Sequence, residues 1–265
     1  MIALFIIKLA AGITLMWWLM PRKDVTDGFF RIQMRVLLGL NVLAALSLAA
    51  SGTWSVDSAD VAPAAAAQAV RTASLIRSLC ITAAVVSYAG TVFWALGRRL
   101  PGNLCVHVLN GLCLSALALH SWNVPNQSNI GQQLLSDFSS AALLGSVLTG
   151  MLLGHWYLTT PTMSIKPIWW FNKAIFVAVA LRFLASAWVV ADFGPGLGDS
   201  TQQVWLGIRW VGGILAPALM AAMVWKILKH RNTQSATGVL FAGLVLVFMG
   251  EMTASLLEQD VLIPY

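Results

Sequence analysis

Charge is what this sequence has least of. Asp, Glu, Lys and Arg make up 10% of its 265 residues, against about a quarter in an ordinary soluble domain. So few charges cannot cover a water-facing surface, which excludes water as the chain's main solvent. Cysteine is also scarce: Cys80, Cys105 and Cys113 all fall in apolar stretches and form no C-x-x-C pair. That excludes a secreted disulfide framework and leaves free thiols that pack as small apolar groups. The sequence also lacks a Gly-rich phosphate loop with its Lys and Ser/Thr, an H-E-x-x-H zinc signature and a G-x-S-x-G elbow. Paired aspartates of the kind that hold magnesium for prenyl transfer are absent, and Asp57 and Asp60 sit outside any expected helix.

What remains is apolar, with 58% hydrophobic residues. A spanning helix needs roughly 20 mostly apolar residues, and that template places spans near 2–20, 33–51, 75–97, 103–121, 138–158, 168–191, 203–228 and 238–257. The expected fold is all-α: one integral membrane domain over 1–265, a polytopic bundle of about eight helices. The first span is expected to stay in place, because no basic region precedes it and the Trp17-Trp18-Leu19-Met20 run offers no small-residue cleavage site. The run Ala62-Pro63-Ala64-Ala65-Ala66-Ala67 is expected to be a short surface helix or a mobile loop.

The formal charge of +6 could suggest nucleic acid, but its cations flank apolar segments in twos and threes instead of forming a stripe with stacking aromatics. They are topology signals. Arg22, Lys23 and Arg31, then Arg98 and Arg99, then Lys166, then Lys229 and Arg231 occupy alternate loops, and cytoplasmic loops hold the excess of Lys and Arg. Both termini are therefore expected outside, with Arg71 the one exception among the outer loops. Tryptophans are expected to form two headgroup belts, with Trp17, Trp18, Trp94, Trp156, Trp169, Trp170 and Trp225 inside. Trp54, Trp122, Trp188, Trp205 and Trp210 form the outer belt.

Function has to come from polar groups at membrane depth, where an ionisable side chain is costly and points to a site with a partner. Lys8, Arg182, Arg209 and Glu251 are all expected in the outer half of the bilayer. Three cations against one carboxylate would leave two positive charges for a ligand to offset. His120 and Asp137 border the same depth. The alternative is that Glu251 pairs with one Arg as structural glue while Lys8 and Arg209 snorkel to the headgroups. Gly212, Gly213 and Pro217 should bend the seventh span, either around a ligand or simply to improve packing. On the inner side, His107 and His155 sit at matched depth as candidate axial ligands of a b-type haem. Gly145, Gly150 and Gly154 would give the fifth span a surface for a porphyrin or for a neighbouring helix.

These residues point to a membrane subunit of an electron-transfer complex. Glu251, Arg182, Arg209 and His120 would act on a quinone, Lys8 and Asp137 would help bind it, and haem b would be a second cofactor. Quinol oxidation needs hydrogen-bond partners for the ring oxygens and a titratable group to take protons. In helix number the chain resembles the eight-helix quinol-handling anchor subunits of molybdoenzyme and polysulfide reductase complexes, a likeness of architecture alone. The alternatives are a small permease for an anionic solute and a structural or assembly subunit. The expected partners are the lipid bilayer and other membrane or peripheral subunits, and the expected location is the bacterial inner (cytoplasmic) membrane.

Overall fold

A computed structural model describes residues 2–52, 63–124, 129–160, 162–194 and 199–265. The chain is 90% helical, with no strand among the described residues. Eight helices are long and apolar enough to cross a membrane: α1 (Ile2–Leu19), α2 (Asp27–Gly52), α3 (Pro63–Ala95), α4 (Arg99–Asn123), α5 (Ile130–Thr159), α6 (Lys166–Phe193), α7 (Ser200–Lys229) and α8 (Thr233–Val261). Most are longer than the apolar runs that announce them, because backbone hydrogen bonding continues past the last residue the bilayer requires. Pro63 and the alanines after it open α3 itself and do not form a separate surface helix. Asp57, Asp60 and Trp54 lie outside the described residues.

Local signals set several boundaries. Asn129 and Gln132 form a reciprocal capping box at the start of α5, satisfying two amide groups that the first turn leaves unpaired. The Asn232 side chain accepts from the Ser235 amide at the start of α8. Gly97, at φ 67°, supplies the left-handed turn between α3 and α4.

The helices pack as two rings of four. α1 touches α2, α2 touches α3, α3 touches α4, and α4 closes on α1; α5, α6, α7 and α8 repeat that cycle, and α1 against α5 joins the halves. α1 and α5 are accordingly the most enclosed helices. They cross at Gly12 and Gly145, where a Cβ on Gly12 would lie 1.8 Å from the Ala141 carbonyl oxygen. The second ring has a matching close approach between α7 and α8, where a Cβ on Gly250 would lie 2.2 Å from the Gly213 Cα. In lipid, helices gain little from hiding apolar surface from one another, so backbone-to-backbone packing over small residues supplies much of the association.

The expected bend in α7 is a π-helical turn at Val211–Leu215, in which the Ala216 amide bonds to the Val211 carbonyl five residues back. Pro217, two residues beyond it, has no amide proton to offer and crowds the carbonyl one turn earlier; the widened turn relieves that conflict.

The tryptophan belts need correcting at two positions. Trp17 and Trp94 are core residues at 0% and 4% exposure, and Trp94 stacks on Phe30 with ring centroids 4.6 Å apart. The three cysteines are free and buried.

Candidate functional site

The outer half of the molecule gathers its intramembrane charges into one connected polar core. Lys8 lies six residues into α1, Arg209 nine into α7, Glu251 ten before the end of α8 and Arg182 eleven before the end of α6. At about 1.5 Å rise per residue these positions are roughly 9–17 Å below the outer helix ends. Lys8, Arg182, Arg209 and Glu251 are exposed by 4%, 1%, 0% and 2%. None of them snorkels.

Glu251 is held between two guanidinium groups. Its Oε1 is 2.7 Å from Arg209 Nη1 and 3.5 Å from Arg182 Nε, and its other oxygen accepts from the Ser140 hydroxyl. Arg182 also donates to the Ser136 hydroxyl at 2.7 Å and to the Tyr265 carbonyl at 2.7 Å. Beside this triad, Lys8 Nζ is 2.7 Å from Asp137 and 3.9 Å from Glu258. Asp137 accepts from Ser121 at 2.6 Å and from Gln133 at 3.0 Å, and Gln133 donates at 2.7 Å to Glu258.

The two groups adjoin through α5, whose Gln133, Ser136, Asp137 and Ser140 recur every three or four residues and so share one face. The glycine crossings explain how the charges meet. Lys8 is one turn from Gly12, Arg209 one turn from Gly213, and Glu251 is next to Gly250. Backbones that approach so closely bring side chains one turn away within reach of the facing helix.

This geometry corrects the expected charge excess. Asp137 pairs with Lys8, and Glu258 adds a third carboxylate, so three cations meet three side-chain carboxylates. Arg209 is the least satisfied of the cations: among the described residues its Nε and Nη2 are buried donors with no hydrogen-bond partner, whereas Arg182 leaves only Nε without one, 3.5 Å from Glu251. His120 is half-buried, and its Nε2 is likewise buried without a partner, one residue from Ser121 on the flank of the core. The core therefore brings Lys8, Asp137, Arg182, Arg209 and Glu251 together and keeps His120 at its edge.

At the outer end of α8 the chain turns back. Leu262 takes a left-handed φ of 58°, after which Ile263 and Tyr265 bury against Val189 and Leu257. The Tyr265 hydroxyl donates to the Gly194 carbonyl at 3.1 Å, and burial raises the phenol above its ordinary pKa, which keeps it a donor.

The inner histidines are placed differently. His107 and His155 are both exposed, and His107 Nε2 is 3.4 Å from Arg22. The glycine face of α5 is covered: Gly145 by Gly12 of α1, Gly150 by Phe171 of α6 and Gly154 by Thr237 of α8. It serves helix packing, so the residues do not fit a haem enclosed between α4 and α5.

Compared with known proteins, the chain matches no family model, no curated protein and no solved structure. Its function must be argued from its own chemistry. Sequence reasoning passed over Glu258, Gln133, Ser136, Ser140, Ser121 and Tyr265. The first four carried a signal: Glu251 and Glu258 are seven residues apart, two helical turns, and the polar residues of α5 repeat at helical spacing. Nothing local marks Ser121 or Tyr265.

Proposed function

We propose that the chain is the membrane subunit of an electron-transfer complex, and that its outer-half polar core binds a quinone. The observation that carries this reading is the pair of unspent donors on Arg209, fully buried beside Glu251 in a core whose charges otherwise balance. An unsatisfied buried donor costs about 1–3 kcal/mol, which a neutral carbonyl oxygen would recover. An anion, by contrast, would upset a charge count that already stands at three against three, so the permease reading loses the argument that favoured it.

Access from within the bilayer also supports the reading. An apolar slot of about 440 Å³ on the lipid-facing side of α7 and α8 is lined by Gly207, Ile208, Val211, Gly212, Leu246 and Met249. The slot's Ile208 and Gly212 flank Arg209 on α7, and its Met249 is two residues from Glu251 on α8, so an isoprenoid tail could rest there beside the core. Oxidising a quinol releases two protons and two electrons. The protons would leave along the polar face of α5 toward the partly exposed Glu258, and the electrons would have to pass to a redox centre on another subunit.

The structural-subunit reading is favoured by a specific observation too: every charge in the core has a counter-charge, as helix-locking glue would require. Purification in mild detergent, solvent extraction and a reduced-minus-oxidised ultraviolet spectrum separate the two. The quinone reading expects stoichiometric quinone with the native chain and its loss from Arg209→Gln and Glu251→Gln variants that still elute as folded protein. A native chain that carries none, and takes up none from quinone-loaded vesicles, supports the structural role. The same sample's visible spectrum tests haem, since a Soret band would require His107 and His155 to share it with another chain at the exposed surface.

A further inference from the structure

The opposite end of the molecule carries a second polar site that the quinone reading does not use. Between the α1–α2 connection and the start of α4 lies a cavity of about 640 Å³ whose lining includes Arg22, Lys23, Asp24, Trp94, Arg99 and Asn103. Three of these six side chains are cations and one is a carboxylate. Arg99 is already partnered, its Nε lying 2.8 Å from Asp27. Arg22 is not: among the described residues it makes no ion pair within 4 Å, its contact with His107 Nε2 is a long 3.4 Å, and its Nη1 is buried with no hydrogen-bond partner. Burial lowers the Arg22 pKa from its ordinary value. Trp94 is 4% exposed, and its indole Nε1 is a second buried donor with no partner.

Two further features narrow the ligand. The cavity is bounded by the last residues before Arg22 and the first turn of α4, so it sits where the helices leave the hydrocarbon, at the level of lipid phosphates. The amides opening α4 are not capped by the Arg98 side chain, and a helix start favours anions. Just beyond the rim, Leu19, Leu100 and Leu104 are exposed by 48%, 86% and 63%, an apolar surface along which acyl chains can run. Basic pockets between helices at a cytoplasmic face bind acidic headgroups.

We infer that this cavity binds the phosphate of an anionic phospholipid, with Arg22 as its principal ligand, Lys23 and the Trp94 indole as further donors, and the acyl chains on the α4 flank. The inference does not rest on the quinone reading.

Native mass spectrometry of the full chain tests it, with release from nonionic micelles doped with phosphatidylglycerol, phosphatidylcholine or inorganic phosphate. Phosphatidylglycerol adducts should persist at one lipid per chain and exceed phosphatidylcholine adducts about tenfold. Arg22→Gln should cut the phosphatidylglycerol occupancy by roughly tenfold, the loss expected for one charge-assisted hydrogen bond. Lys229→Gln, which removes an exposed cation on the same face, should leave it unchanged. Should Arg22→Gln fail to fold, Trp94→Phe keeps the ring on Phe30 and removes only the indole donor; occupancy should fall about threefold to fivefold. Equal adducts from both lipids, an equal loss in Lys229→Gln, or displacement of the lipid by millimolar inorganic phosphate would overturn the proposal.

Discussion

At the residue scale, the core is governed by the cost of taking charge out of water. Lys8 and Asp137 are 5% and 0% exposed at the side chain, and a buried charge stripped of its partner costs about 3–5 kcal/mol. Asp137→Asn leaves Lys8 with only Glu258 at 3.9 Å, so we expect destabilisation of that size, read as a large fall in the thermal midpoint in detergent. The double variant Lys8→Met with Asp137→Leu should recover most of the loss, because neither charge is then left alone; a double variant as unstable as Asp137→Asn would show that the pair does more than cancel charge. Cysteine supplies a second expectation. Cys80, Cys105 and Cys113 are 3%, 8% and 4% exposed, so a membrane-impermeant maleimide should not label the native chain and should label all three after denaturation.

At the scale of elements, two glycine crossings hold the rings at the spacing the ion pairs need. Gly250→Ala would place its Cβ 2.2 Å from the Gly213 Cα, backbone that cannot step aside as a side chain can. Overpacking of this kind costs roughly 1–3 kcal/mol, and we expect the thermal midpoint to drop accordingly. Gly238, also on α8, has nothing within 4 Å of an added Cβ, so Gly238→Ala should be neutral or raise stability by up to about 1 kcal/mol through helix propensity. If both variants behave alike, the crossing is not a tight one. The bend of α7 was legible in the sequence, since Gly212-Gly213 with Pro217 announces a disturbed helix. Its form, a π turn, answers the conflict at Pro217, but that it leaves Arg209 facing Glu251 depends on where α8 packs, which no local pattern encodes.

At the scale of the whole molecule, the even number of spans and the alternation of basic loops predict how the chain sits in a bilayer. Single cysteines introduced at Lys166 and Lys229 should label from one side of sealed vesicles, and those at Ser200 and Gln202 from the other. Labelling of all four from one side would break the eight-span topology. The two-ring packing places the polar core where α1 meets α5 and within the second ring. The four groups picked out for their depth, Lys8, Arg182, Arg209 and Glu251, did converge, because each was costly enough in lipid to need a partner and depth can be counted along a helix. Glu258 lies one residue beyond the apolar run 238–257, so a count of charges within the spans does not include it.

The number of spans, their order and the depth of each charge are properties of a linear string in a layered solvent, because hydrocarbon about 30 Å thick selects apolar runs whatever their neighbours. How each helix is rotated about its axis is a different matter. Rotation turned Asp137 onto Lys8, sent His107 and His155 to the surface and laid the glycines of α5 against three other helices. It was decided by tertiary packing, since lipid accepts any apolar face equally and only close backbone contact and the pairing of buried charges distinguish one orientation from another.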